Sequence, residues 1–320
     1  MERHERIFRY CIAAMALALI MLFLLQLART DYSLRQNENR RKFGAVYMTM
    51  NNPFYEIIDE EIRAAVENNG DVLISRDPAL SQERQNEEIE ELVKSGVSLL
   101  FVNPADQKTV TPAIKAAAKA GVPVIAIDTG LYDDDYAAVT VTSDNYEAGK
   151  ICAEHLIAHS DGGKIALLKH SAAQSASERI RGFTDALTGH DEFEIVAEEE
   201  CLGQLEIAMP AMEKILTEHG AVDAVMAIND PSAMGALAAL QNFGLLNDVY
   251  VYGVDGVKET RELIKSGVMT ATAVQQPREI GRIAARLAYR ILAGEKPDKL
   301  IRLPAVLLTR DNADEVPKWD

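Results

Sequence analysis

"FGAVYMTMNNPFYEII", residues 43–58, carries an apolar run into a helix-like pattern through Asn-Asn-Pro. Val46, Tyr47 and Met48 end a strand-like stretch. Asn52 then stands where a helix N-cap belongs, with Pro53 at the first helical position. Beyond it Phe54, Ile57, Ile58, Ile62, Ala65 and Val66 fall on one stripe, with Glu56, Asp59, Glu60 and Arg63 opposite. A strand handed to a helix in this way is half of a βαβ unit.

The pattern continues outward. Short Val- and Ile-rich runs follow at "DVLIS", "SLLFV", "VPVIAI" and "AAVTV". Later ones are "KIALLK", "FEIVAE", "VDAVMAI", "VYVYGV" and "MTATAVQ", and most are separated by helical spacing. This rhythm predicts parallel sheets covered by helices on both faces. So many strands exceed one comfortable doubly wound sheet, and the order breaks. Only an acidic loop, Tyr132 to Asp135, separates "VPVIAIDTG" from "AAVTVTSDN", which reads as the end of one lobe and a crossing into another. A long helix from Pro277 to Leu292 follows "ATAVQQP", and a last run lies near "LPAVLLT". The expected fold is α/β: two doubly wound parallel-sheet lobes. Residues 43–142 plus 277–303 form lobe 1, and residues 143–276 plus 304–320 form lobe 2.

The N-terminus differs. Arg3, Arg6 and Arg9 precede "CIAAMALALIMLFLLQLA", Cys11–Ala28, eighteen residues without a charge. A signal-peptide core is about 7–15 residues and ends in a small-x-small site. This run is longer and ends poorly for cleavage, so residues 1–30 read as a short tail and an uncleaved membrane anchor, with a linker at 31–42. The basic residues on either side of the run do not fix its orientation, because that rule weakens before a long domain.

The 320 residues are 48% hydrophobic and 26% charged, as in a globular protein, and the net charge of -16 argues against nucleic acid as a partner. Cys11, Cys152 and Cys201 show no metal spacing, and a Cys152–Cys201 bridge stays open. His155 and His159 have ligand spacing without a third ligand, so no metal and no cofactor is expected. No nucleophile–base pair, phosphate loop or dinucleotide fingerprint occurs, and the chain does not read as an enzyme.

Ligands of open α/β sheets sit beyond the carboxyl ends of the strands. At those ends stand Asn51-Asn52, Asn103, Asp128, Asn229-Asp230, Asp255 and Gln275. These side chains make bidentate hydrogen bonds. A sugar ring needs such groups around its hydroxyl edge and a flat aromatic surface against its C–H face. Phe54 and Tyr55 offer that surface. Taken singly, each residue has a plainer role: Asn52 as a cap, Phe54 in the core, Arg179 in solvent, the aspartates in turns. Tyr55, off the apolar stripe, is expected exposed.

The landmarks "TMNNPFY", "NPAD", "PVIAIDTG", "TSDNYEAGK", "SERIRGF", "AINDPSAMGAL", "YGVDG" and "ATAVQQP" occur in the order seen in bacterial ribose-type sugar-binding proteins. The chain resembles that family from Phe43 to about Asn312. Its members are the periplasmic substrate-binding components of sugar ABC transporters, relatives of the ligand domains of lac-type repressors. The resemblance implies a type I periplasmic binding fold with a three-strand hinge near Thr142–Asp144, Gln275–Pro277 and Leu303–Ala305. It implies ligand contacts from Asn52, Phe54, Tyr55, Asp128 and Thr129 in lobe 1. From lobe 2 it implies Arg179, Asn229 and Asp255, with Gln275 at the hinge. The implied partners are a monosaccharide or polyol and an ABC permease, outside the cytoplasmic membrane. Two departures bear on specificity. Ribose binders carry an arginine after the first aspartate, where this chain has Thr129, and an aromatic near Leu202 or Gly203. Met48 also replaces a small polar residue. The anchor leaves a tethered sensor for a membrane histidine kinase as the alternative. A repressor would need a helix-turn-helix before Phe43.

Overall fold

The computed structural model describes residues 14–26, 40–316 and 319. It divides into two units, Met1–Arg41 and Lys42–Asp320. In the first, residues 14–26 form a helix, α1, with Met15, Leu17 and Leu19 to Leu25 among exposed apolar side chains. No helix of the described residues is long and apolar enough to cross a membrane. Both ends of the Cys11–Ala28 run, and with them the proposed anchor's limits and Cys11, lie outside the described residues.

The second unit holds two six-stranded sheets. The sheet of lobe 1 contains β1 (Lys42–Val46), β2 (Val72–Arg76), β3 (Leu99–Val102), β4 (Val124–Ile127), β5 (Val139–Ser143) and β11 (Leu300–Leu303). Their order is β11-β5-β4-β3-β1-β2, parallel throughout. The sheet of lobe 2 contains β6 (Gly163–Lys169), β7 (Phe193–Glu200), β8 (Ala224–Ala227), β9 (Tyr250–Asp255), β10 (Ala271–Val274) and β12 (Val306–Thr309). Their order is β12-β10-β9-β8-β6-β7, and only β12 runs antiparallel.

The central strands "LLFV", "VIAI", "AVMA" and "ATAV" are buried at every position. That is the signature of a parallel strand covered on both faces. Alternate residues feed separate cores. Phe43, Ala45, Leu99 and Phe101 pack under α2 (Pro53–Asn68) and α10 (Pro277–Leu292). Val46, Leu100 and Val102 pack under α3 (Gln82–Lys94) and α4 (Thr111–Lys119). Lobe 2 repeats the scheme with α7 (Leu205–His219) and α8 (Asp230–Asn242) on one face and α5 (Asn145–His159) and α6 (Gln174–Ala186) on the other. The edge strand β7 ends in "EEE" with alternating exposure, a charge pattern that discourages further pairing.

The acidic loop does not leave lobe 1. After it, β5 still pairs with β4, joined through a 3-10 turn at Asp134–Tyr136. The chain enters the second sheet only after Ser143, returns to the first lobe with α10, and crosses again between Leu303 and Val306. The edge strand β11, LIRL, is only four residues long, with Leu300 and Arg302 exposed, and Arg302 interrupts its apolar residues, so it does not read as a strand of its own. Cys152 and Cys201 are both free and buried, so the bridge left open by sequence is not formed.

One helix crossing depends on glycine. A Cβ on Gly149 of α5 would lie 1.8 Å from the Arg179 carbonyl oxygen, and one on Gly182 of α6 1.9 Å from that of Tyr146. Two bare backbones therefore meet, and the contact fixes where Arg179 starts.

Candidate functional site

The carboxyl ends of both sheets face one cavity of about 30 Å³, room for roughly one or two waters. Lobe 1 lines it with Met48, Thr49, Asn52, Phe54, Tyr55 and Asp128. Lobe 2 brings Arg179, Asn229, Asp255 and Gln275, with His170, Leu202 and Ile228 beside them. Two lobes bear directly on each other: Asn51 Nδ2 donates to Gln204 Oε1 at 3.0 Å and Gln107 N to Ala172 O at 3.1 Å.

Asn52 does two things at once. Its Oδ1 accepts from Phe54 N at 2.9 Å and caps α2, while its Nδ2 reaches across to Asp255 Oδ2 at 3.5 Å. The cap turns Phe54 and Tyr55 into the cavity. Their rings meet edge to face, 5.5 Å between centroids. The exposure expected for Tyr55 is corrected: it is buried. Its hydroxyl sits 3.3 Å from Met48 Sδ and donates to Asp128 Oδ2 at 3.4 Å. Being off the stripe turns it into the cavity, against Met48 and Asp128 of its own lobe, rather than toward water.

Asp128 and Asp255 end their strands at φ 64 and 137. The first is the left-handed region that aspartate tolerates; the second is glycine territory and costs about 1–3 kcal/mol. Asn103 stands behind the wall. Its Nδ2 donates to Asp128 Oδ2 at 3.2 Å and its Oδ1 accepts from Met48 N at 3.1 Å. Gln275 Nε2 donates to Asp255 Oδ1 at 2.6 Å. Asn229 caps α8 through Ser232 N at 3.0 Å and donates to Gly203 O at 3.0 Å. Arg179, expected in solvent when taken singly, is 4% exposed; its Nε donates to Asn145 Oδ1 at 2.8 Å and its Nη1 to Ile228 O at 2.7 Å.

Thr129 is the exception among the expected contacts. It is absent from the cavity lining, and its Oγ1 accepts from Ser175 N at 2.9 Å across the lobes. The left-handed turn at Asp128 sends the next side chain away from the ligand space and into the lobe contact.

A family model described as a periplasmic binding protein domain matches residues 43–296. The chain belongs to this family. This periplasmic binding protein is 30% identical over 301 residues to the ribose import binding protein RbsB of Bacillus subtilis, covering 92% of this chain and 97% of that one. It is 32% identical over 253 residues to RbsB of Escherichia coli, covering 78% and 84%. Among solved structures, an ABC transporter solute-binding protein of Agrobacterium vitis with bound D-fucose superposes with TM-score 0.81. Its identity is 26%, over 86% of this chain and 97% of that one. One from Mycobacterium smegmatis with bound glycerol gives TM-score 0.80 at 30% identity, over 86% and 96%. The fold is the type I periplasmic binding fold, and the family's place is outside the cytoplasm.

Burial dominates the site's electrostatics. It pushes the Asp128 carboxyl up to about 6 although Arg179, Tyr55 and Asn103 pull the other way. Burial raises Asp255 as well, helped by the charges of Asp230 and Asp128 and opposed by Arg179 and Gln275. Among the described residues that line the cavity, two buried acceptors have no hydrogen-bond partner, Asp128 Oδ1 and Gln275 Oε1. His170 was missed in the sequence although it directly follows β6, so the strand-end rule would have found it; burial holds its imidazole below the usual range. Leu202 and Gly203, which stand where ribose binders carry an aromatic, both line the cavity, and Leu202 holds φ 52. Trp319 was not anticipated. Its Nε1 donates to Gln275 O at 3.0 Å and its ring lies 5.7 Å from Phe54.

Proposed function

We propose that this periplasmic binding protein captures a monosaccharide or related polyol between its lobes and offers the closed form to an ABC transporter permease. It turns nothing over. The observation that carries this is the pair of buried, unpartnered acceptors, Asp128 Oδ1 from lobe 1 and Gln275 Oε1 from lobe 2, on one cavity. Leaving such oxygens unpaired costs about 1–3 kcal/mol each. Ligand hydroxyls remove that cost, and a ligand meeting both lobes favours closure by its differential contacts. A cavity of about 30 Å³ cannot take a ring, so the lobes part for entry. Asn52, Phe54, Tyr55, Arg179, Asn229 and Asp255 complete the contact set. Names of relatives support a sugar: ribose import for RbsB, D-fucose in the Agrobacterium vitis structure. An uncleaved tether rests on the charge-free run Cys11–Ala28.

A thermal-shift series on the full chain with pentoses, hexoses and polyols tests the reading. A binder gains melting temperature as its concentration passes the dissociation constant. A flat response across the whole panel, together with no heat by calorimetry, overturns it.

A further inference from the structure

Each amide and guanidinium side chain of the cavity already has a partner inside the protein, while two of the cavity's acceptor oxygens have none. Asn52 Nδ2 and Gln275 Nε2 both point at Asp255, Asn229 Nδ2 is held by Gly203 O, and Arg179 commits Nε and Nη1 to Asn145 and Ile228. Asp128 Oδ1 and Gln275 Oε1 stay without a donor at 2% and 1% residue exposure.

The charges tell the same story. Asp128 and Asp255 line the cavity from opposite lobes, and Asp230 lies behind them, satisfied by Gly256 N at 2.8 Å, Val257 N at 2.9 Å and Thr272 Oγ1 at 2.6 Å. Against these three carboxyls stands one guanidinium, Arg179. Among the described residues no Lys, Arg or His nitrogen lies within the 4.0 Å ion-pair distance of Asp128 or Asp255. The cavity's histidine, His170, is neutral at pH 7 because burial lowers its pKa. Tyr55 keeps its proton, since burial and both carboxylates raise it. Burial raises all three aspartates, because a carboxylate loses its water in a closed space.

A hydroxyl brings one donor and two lone pairs. An ammonium brings three donors, no lone pair and a positive charge. We propose that the ligand carries a protonated amine: the cleft takes an amino sugar or amino polyol, its ammonium between Asp128 and the Asp255–Gln275 pair and its ring against Phe54 and Tyr55. This rests on the sugar-binding reading above and narrows it to a cationic class. The same geometry rejects sugar phosphates and uronates, whose anions would face two carboxylates.

Calorimetry on the full chain at about pH 6.5, below the ordinary range of an amine, separates the two claims. The probes are D-glucosamine, D-galactosamine and D-mannosamine, their N-acetyl forms, and D-glucose, D-galactose and D-mannose. At least one amine is expected to bind about tenfold or more tighter than its parent sugar, with N-acetylation removing the advantage. Repeating the titration in two buffers of unlike ionisation enthalpy is expected to show proton release with the amine, as its charge drives the raised carboxyls to ionise. Asp128→Asn is expected to shrink the amine-to-parent ratio. Parent sugars binding as tightly as every amine, or no proton release, overturns this inference and leaves the sugar reading standing. No binding by any probe overturns this inference, and together with a flat thermal-shift response across pentoses, hexoses and polyols it overturns both.

Discussion

Lobe 1 meets the cleft with Phe54, Tyr55 and one carboxylate, Asp128. Lobe 2 meets it with Arg179, Asn229, Asp255 and Gln275, and no phenyl or phenol ring. The folds behind these walls are alike: six strands each, helices on both faces. Their loops differ in what they deliver. The lobe 1 cap at Asn52 turns two rings toward the mouth, suited to a C–H face. The lobe 2 strand ends supply amides and charge, suited to a ring edge. Neither wall alone can both cover a ring and satisfy its hydroxyls, so capture and closure are one event.

The sharpest way to break this comparison is to blunt each wall in turn. Asp128→Ala and Asp255→Ala are each expected to weaken binding of the cognate ligand by about 100-fold or more, near 3 kcal/mol, from lost hydrogen bonds to charged groups. Titration calorimetry reads it. A loss below about tenfold for either would mean the other wall holds the ligand unaided.

Helix packing beneath the walls is also unequal. A Cβ at Gly149 in lobe 2 meets the Arg179 carbonyl oxygen at 1.8 Å, whereas one at Gly281 in lobe 1 meets Glu61 Cβ at 2.8 Å and Ile58 O at 2.9 Å. Urea unfolding is expected to show Gly149→Ala losing about 3 kcal/mol and Gly281→Ala about 1 kcal/mol, following the cost of overpacking. Equal losses would remove the contrast.

Acidity probes both walls together. The closed form holds Asp128 up at about 6, above the ordinary aspartate value, and raises Asp255 too, in both cases by burial. A raised carboxyl favours closure fully below its solvated pKa and loses that contribution as pH climbs through its raised value. Without ligand, closure is therefore expected to weaken between pH 4.5 and pH 8, by about 2–3 kcal/mol from Asp128, with Asp255 acting in the same direction. Small-angle scattering follows it as a growing radius of gyration, and Asp128→Asn flattens the lower part of the curve.

The smallest effect concerns the backbone. At φ 137 Asp255 is strained where Asp128, at φ 64, is only unusual. Asp255→Gly is expected to raise melting stability by about 1–2 kcal/mol while weakening binding as Asp255→Ala does, and Asp128→Gly to raise it less; thermal melting reads it.

Strand–helix alternation made the architecture legible, because buried parallel strands write themselves as unbroken Val-Ile runs. The strand β11 escaped, since it is only four residues long at a sheet edge and Arg302 breaks its apolar residues. The strand-end rule found Asn52, Asp128, Asn229, Asp255 and Gln275 in the lining. It could not tell a lining residue from one turned behind it, which is why Asn103 supports Asp128 and Thr129 faces Ser175. Backbone conformation decides that difference, and φ is not written in residue type except at glycine. Tyr55 shows a related limit: helical periodicity separates the stripe from the rest but does not say which neighbour covers the rest.

Trp319 is the chain's single tryptophan. It hangs from a tail that Arg261 of lobe 2 holds through the carbonyls of Ala313 and Val316, yet its indole touches Phe54 of lobe 1 and the Gln275 carbonyl. Parting the lobes is expected to disturb that aromatic, hydrogen-bonded niche, since the indole bridges Phe54 of lobe 1 and the Gln275 carbonyl. The protein thus carries an intrinsic fluorophore at its hinge, and a shift of its emission colour times each opening and closing without any dye attached.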